Sequence, residues 1–245
     1  MAYQGIFKRK ELKYMLDRAQ YETVLGILDG HMKRDEYGRS IVSSLYFDTP
    51  DYRLIRTSMQ KPTYKEKLRL RTYGIPTDNS LAFAEIKKKY KGIVYKRRVM
   101  LPYNEALMWL CGEISAPAPC QISREIDYLY CIYPELRPSC VLCYDRVAYY
   151  SEEDEGLRVT FDESVRYRFD RLDLRMGDTG TILTGVGQYL MEIKIPGGMP
   201  VWLARGLSDA RIFPISYSKY ARAFQNENKQ NTLHTEEVKN ESTTR

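Results

Sequence analysis

Histidine is almost missing from this chain: only His31 and His234 occur in 245 residues. That scarcity argues against imidazole as a general base or activator of a nucleophile. Zinc would also find few ligands, because the five cysteines (Cys111, Cys120, Cys131, Cys140, Cys143) contain one close pair, Cys140-Val-Leu-Cys143. An odd cysteine count without framework spacing points to free thiols in a reducing compartment. No apolar run approaches the ~20 residues that span a bilayer. The N-terminal stretch MAYQGIFKRKELKY lacks the apolar centre of a secretory signal. A cytoplasmic protein is the expectation. The net charge of +6 is too small an excess for a nonspecific nucleic-acid binder.

What is present is positive charge arranged with a period of two. In a strand, alternate side chains share a face and lie about 6.6 Å apart. Over Lys65–Arg71, therefore, Lys65, Lys67, Arg69 and Arg71 point one way and Leu68 and Leu70 the other. The scheme recurs with Glu85, Lys87 and Lys89 set against Ala84 and Ile86, and with Tyr144 and Arg146 set against Cys143 and Asp145. It recurs again with Arg158, Thr160 and Asp162 against Val159 and Phe161, and with Glu192 and Lys194 against Met191, Ile193 and Ile195.

Two arrangements satisfy this pattern. The polar faces could be the solvated outside of an ordinary sheet, or the cations could converge on an enclosed space. Two cations about 7 Å apart repel by about 0.6 kcal/mol in water and about 2.4 kcal/mol at an effective dielectric near 20. The second arrangement is therefore costly unless a polyanion fills the space, and it would make a phosphate site.

The 21 tyrosines suit strands, where a ring packs and its hydroxyl reaches polar groups. Periodicity predicts strands near 40–47, 63–73, 81–90, 93–101, 140–150, 156–163 and 188–195, with a strand or helix start over 6–14. Helices are expected over 16–28, 51–58, 104–111 and 125–133, and a turn into a short helix over 214–223. One domain over 1–225 followed by a polar, disordered tail over 226–245 is the expected organisation.

Several ordered motifs carry a family likeness: Glu11-Leu-Lys13-Tyr14, Ser44-Leu-Tyr46-Phe47-Asp48-Thr49, Leu68-Arg69-Leu-Arg71-Thr-Tyr73-Gly74, Glu85-Ile-Lys87, Tyr144-Asp-Arg146 with Arg158-Val-Thr-Phe-Asp162, Leu190-Met-Glu192-Ile-Lys194, and Ser218-Lys219-Tyr220. In this order the chain resembles the catalytic domain of the vacuolar transporter chaperone (VTC) polyphosphate polymerases, a branch of the triphosphate tunnel metalloenzymes. The resemblance implies an α+β fold, an antiparallel β-tunnel or barrel with a basic interior flanked by helices.

It also implies transfer of the ATP γ-phosphate to a growing polyphosphate chain with a divalent metal, Mn²⁺ or Mg²⁺. By it, Arg69, Arg71, Lys87, Arg146, Arg158 and Lys219 are catalytic phosphate ligands. Lys13, Lys67, Tyr144 and Ser218 bind substrate, and Glu192 holds the metal. ATP and inorganic polyphosphate or triphosphate are the implied partners; nucleic acid is not expected, and room is left for a separate membrane partner. Hydrolysis of triphosphate or nucleoside triphosphate in the same tunnel, or polyanion binding without catalysis, are the alternatives.

The residues keep plainer readings beside these roles. Glu192 could be a salt-bridge partner of Lys87 or Lys194, Glu11 and Glu85 could balance charge, and Tyr144 could be core. The run Lys88, Lys89, Lys91, Lys96, Arg97 and Arg98 is expected to split between two faces, with no catalytic role. Arg9-x-Glu11-x-Lys13 departs from the Glu-x-Glu-x-Lys start of the broader tunnel superfamily and favours the polymerase branch, whereas Ser58 in place of an arginine and Ser216 in place of a lysine depart from the polymerases; Lys65 and Lys67 are candidates to compensate.

Overall fold

Leu68 and Leu70 decide which way the central cationic strand faces. Both are fully buried with Leu45, Phe47, Ala84 and Ile86 in one apolar cluster, and burial of each leucine contributes about 1.5–3 kcal/mol. Their neighbours Lys67, Arg69 and Arg71 are thereby turned to the opposite face. The computed structural model describes residues 10–91 and 93–243; Arg9 lies outside them.

The elements in order are β1 (Lys10–Leu16), α1 (Arg18–Leu28), β2 (Lys33–Asp48), α2 (Arg53–Met59), β3 (Tyr64–Tyr73), β4 (Leu81–Tyr90), β5 (Ile93–Pro102), α3 (Tyr103–Leu110), α4 (Gln121–Ile132), β6 (Arg137–Tyr150), β7 (Arg158–Arg168), β8 (Thr181–Ile182), β9 (Tyr189–Ile195), α5 (Val201–Asp209) and α6 (Lys219–Thr243). The strands form one antiparallel sheet in the order β1-β9-β7-β6-β2-β3-β4-β5, with β8 beside β7. The sheet curls on itself: Lys87 Nζ on β4 reaches Glu11 Oε2 on β1 at 3.3 Å. Among the described residues no ladder joins β1 to β5. Instead the extended segment 213–218 lies against β1, where Ile215 N–H donates to Lys13 O at 2.6 Å. The β-tunnel with flanking helices is therefore present as a curled, unclosed sheet.

Apolar side chains pack mainly on the convex side. α3 and α4 cover β3, β4 and β5 through Tyr103, Trp109, Ile126 and Leu129. α1 and α5 cover β1, β7 and β9 through Val24, Leu28, Leu203 and Leu207. A third cluster fills part of the concave side, where Ile55 of α2 and Tyr220 and Ala223 of α6 meet Val42, Leu142 and Tyr167. Gly206 is required where α5 crosses α1, since a Cβ there would stand 2.7 Å from Ile27 Cγ2.

Asp48 ties the third cluster together. Its fully buried carboxylate accepts from the backbone N–H groups of Thr49, Leu54 and Ile55 and from the Tyr220 hydroxyl, at 2.8–3.0 Å. Asp48→Ala would leave those donors without an acceptor. It is expected to lower stability by about 3 kcal/mol or more, measured as a lower urea midpoint at unchanged slope.

The sequence pattern missed three features. β2 begins at Lys33 rather than near 40, because its first half is a polar, exposed arm with a bulge between Arg34 and Arg39. α5 was not anticipated, although Leu203 and Leu207 stand at helical spacing behind Pro200. Residues 226–243, expected to be a disordered tail, continue α6 as helix. The packed Tyr220 and Ala223 meet the cost of the first turns, and straight-chain Gln, Glu and Lys extend them.

All five cysteines are free. Cys140 and Cys143 belong to apolar clusters on opposite faces of β6, so the pair cannot share a metal. Among the described residues no helix is long and apolar enough to cross a membrane.

Candidate active site

The concave face surrounds a cavity of about 910 Å³. Thirteen lysines and arginines line it against three glutamates, an excess larger than the +6 of the whole chain. Of the eleven residues singled out from the sequence, ten stand on its wall: Lys13, Lys67, Arg69, Arg71, Lys87, Tyr144, Arg146, Glu192, Ser218 and Lys219. Arg158 does not. It is half exposed and pairs with Asp35 on the polar arm of β2.

β3 and β4 build one half of the wall. Arg69 donates to Glu85 Oε2 at 2.7 Å and to the Tyr46 hydroxyl at 3.0 Å. Arg71 donates to Ser44 Oγ at 3.2 Å and to the Tyr144 hydroxyl at 3.1 Å. Lys96 of β5 meets the other Glu85 oxygen at 2.6 Å. Burial alone would raise the Glu85 pKa, but Arg69, Arg71 and Lys96 outweigh it and hold the carboxylate ionised. A single buried carboxylate thus fixes three cations whose remaining donors can face the cavity.

The other half centres on Glu192 of β9. Its carboxylate lies 3.1 Å from Lys219, 3.3 Å from Lys13 and 3.5 Å from Arg146. Asp162 of β7 accepts a two-pronged bond from Arg146 at 2.6 and 2.7 Å and meets Lys219 at 2.6 Å. Glu11 lies 3.3 Å from both Lys13 and Lys87. Against burial, Lys219, Lys13 and Arg146 hold Glu192 well below the usual carboxylate range. Burial would lower the Lys219 pKa, yet Asp162 and Glu192 raise it, so the pair is charged on both sides. Ser218 caps α6, accepting from Ala221 N–H at 3.4 Å, and so aims Lys219 into the bore.

Lys67 is held differently. Its ammonium donates to Ser218 Oγ at 3.1 Å, and among the described residues no carboxylate stands within ion-pair range of it. Burial, then Lys87, Lys65 and Lys13, push its pKa down to about 7. Burial and Arg146 likewise bring Lys194 down to about 8 despite Glu192 and Glu11. Lys65 lines the cavity and donates to the carbonyl of Ser58, the position where the family arginine is missing. Ser216 also stands on the wall.

Several wall residues had no role assigned from sequence. Lys194 on the wall and Asp162 behind it stood in the period-two pattern beside Glu192 and Arg158, but that pattern alone gave them no role. Lys96 was concealed in a charge run; it is set apart by its register opposite Lys87 in the β4–β5 ladder. Lys88 and Arg97 face outward to Glu125 of α4, as a run split between two faces requires. Tyr46 sits in a motif whose spacing says nothing of its bond to Arg69.

The family model described as VTC domain matches residues 8–227. No curated protein matches the chain. Among solved structures, an adenylate cyclase candidate from Bacillus halodurans superposes with a TM-score of 0.54 at 15% identity, over 88% of this chain and 96% of that one. An adenylate cyclase candidate from Vibrio parahaemolyticus gives 0.47 at 12% identity, over 90% and 99%. An adenylyl cyclase candidate from Hippeastrum, described as having a dominant triphosphatase activity, gives 0.46 at 15% identity, over 86% and 92%. At these identities the first likeness is one of fold.

Proposed function

The chain belongs to the VTC domain family, and from that premise we propose that it is a polyphosphate polymerase, transferring the γ-phosphate of ATP to a polyphosphate chain held in the bore. The observation that carries this reading is the cationic track itself. From Lys65 to Arg71 it runs about 20 Å along β3, long enough to hold a donor triphosphate and an acceptor chain end to end. Arg69, Arg71 and Arg146 offer forked donors to phosphate oxygens, which lysine supplies only as a point charge. Lys13, Lys67, Lys87 and Lys219 neutralise the remaining charge, and Tyr144 and Ser218 add hydroxyl donors. Arg158, turned to Asp35, is left out of this phosphate track.

In the transfer, an oxygen of the terminal chain phosphate attacks the γ-phosphorus. The bond from γ-phosphorus to the bridging oxygen breaks, and ADP leaves with the negative charge. Such a nucleophile is already ionised and needs no base. Water does need one, and the wall supplies poor candidates: Glu85 and Glu192 are held ionised at low pKa, and Glu11 is drawn down to about 2 because Lys87 and Lys13 outweigh its burial. Lys67 and Lys194 would be driven to ammonium by bound polyanion. Positioning and charge neutralisation supply most of the acceleration in phosphoryl transfer, which suits a site without histidine.

A divalent metal fits the donor set in one limited way. Among the described residues no cluster of three or more histidines, cysteines or acids forms a cage. Mg²⁺ and Mn²⁺, however, take hard oxygen ligands, and Mg²⁺ is commonly held by one or two carboxylates together with substrate phosphates. Glu192 and Glu11, which flank the Lys13 ammonium at 3.3 Å each, are the residues that would hold it. When bound, the metal would neutralise charge on the transferring phosphate.

Incubation with ATP and Mn²⁺ tests the reading. Ladders of acid-labile polymer accompanied by ADP are the expected products. Orthophosphate and ADP alone would make the protein a hydrolase, and unchanged ATP despite binding would make it a polyanion-binding module.

A further inference from the structure

Nine lysines line the cavity. Five of them, Lys13, Lys87, Lys96, Lys194 and Lys219, each stand within 3.9 Å of an aspartate or glutamate oxygen. Lys67 has no such partner among the described residues, and its nitrogen meets the Ser218 hydroxyl at 3.1 Å instead. Across the β3–β4 ladder it stands directly opposite Lys87, and Lys65 follows on the same face about 6.6 Å away. Like charges so opposed destabilise each other, and enclosure adds the cost of an uncompensated charge. A lysine in this position gives up its proton near neutral pH and becomes a nucleophilic amine. Among the described residues Lys65 also lacks a carboxylate, but it meets the Ser58 carbonyl, which only accepts and so favours the ammonium. The Ser218 hydroxyl donates or accepts and holds either form of Lys67.

We propose that Lys67 is a self-acylation site for small acyl phosphates, with the neighbouring wall cations docking the phosphate and the amine taking the acyl group. The inference takes from the reading above only that the cavity binds phosphate. In the step, the lone pair of the Lys67 nitrogen attacks the carbonyl carbon and an N–C bond forms. The bond from that carbon to the phosphate oxygen breaks with its electron pair, the nitrogen proton passes to the leaving oxygen, and orthophosphate departs. An amide replaces the amine, and no oxidant or further reactant is needed. A small dianion offsets only part of the cationic excess, so the amine stays available to it. A polyphosphate chain filling the bore instead drives Lys67 to ammonium and shields it. Acylation in turn takes a cation from the track, so the acylated protein grips polyanion less firmly.

Incubation of the whole protein with acetyl phosphate near neutral pH, followed by peptide mass mapping, tests this. Acetylation is expected at Lys67 about tenfold or more faster than at Lys96 or the exposed Lys89, and tripolyphosphate should suppress it. Lys96 is the internal control: burial brings it down to about 7 as well, but Glu85 meets it at 2.6 Å. Acetic anhydride, which carries no phosphate, should show a smaller preference for Lys67. By titration calorimetry, the acetylated protein should bind tripolyphosphate on the order of tenfold more weakly; unchanged affinity would overturn the loss of grip. Equal rates at Lys67 and Lys96, or labelling spread over the surface, would overturn the site while leaving the phosphate track standing. An equal Lys67 preference with both reagents, or labelling that tripolyphosphate leaves untouched, would overturn it too. If tripolyphosphate does not bind the unaltered protein, the transfer reading itself falls.

Discussion

Arg69→Ala is expected to lower phosphoryl-transfer turnover by about a thousandfold or more, whereas Arg158→Ala should cost less than tenfold. Both arginines occupy tunnel-type motifs, and only their surroundings separate them. Arg69 is locked by Glu85 and Tyr46 in the wall of the cavity, so its guanidinium is held in place before any ligand arrives. Arg158 is half exposed and engaged by Asp35. Arg69→Lys should not restore the rate, because an ammonium lacks the planar fork. The fold should survive Arg69→Ala, since Glu85 keeps Lys96 and Arg71 as partners. Single-turnover rates with matched thermal melts decide the matter; an Arg69→Ala enzyme within tenfold of the unaltered one would remove that residue from the transfer step.

Stability and affinity should respond to pH in opposite directions. Lys67, with its folded pKa near 7, binds fewer protons folded than unfolded between about pH 7 and the ordinary lysine value near 10.4. Stability therefore rises with pH across that window. Lys194, near 8, adds the same sign from pH 8 upward. A bound polyanion restores the ammonium form, so its binding takes up protons and weakens as pH rises above 7. Thermal melts of the unliganded protein should climb from pH 7 to 9 while the tripolyphosphate dissociation constant grows. Lys67→Met removes a buried, unpaired cation. It is expected to stabilise the unliganded protein at pH 7 by about 2 kcal/mol or more, flatten its pH slope and reduce the stabilisation that tripolyphosphate gives. Parallel pH slopes for stability and affinity would contradict this account of Lys67.

Period two made the strands and seven of the ten wall residues legible, because a one-residue slip would have moved Leu68 and Leu70 out of the core along with Arg69 and Arg71; Lys13, Ser218 and Lys219 came only from the family resemblance. Which face was concave was not written in that pattern. Curl is set by helices packing on the aliphatic side and by Asp48 joining α2 to α6, contacts between segments far apart in the chain. For the same reason Arg158 kept the right parity and still missed the bore: its side chain goes to Asp35, 123 residues away. The Lys96–Glu85 pair depends on register across a hairpin and was submerged in a run of like charges. α6 outran its expected end because composition alone does not reveal a turn already anchored by Tyr220.

The cations are concentrated inside the curl. Even with Glu85 and Asp162 counted in the wall, the bore holds more positive charge than the net charge of the entire chain. An approaching polyanion is thus drawn most strongly at the openings, where low-dielectric walls concentrate the field. The bore acts as an electrostatic funnel, and raising the ionic strength should slow the capture of its anionic ligand.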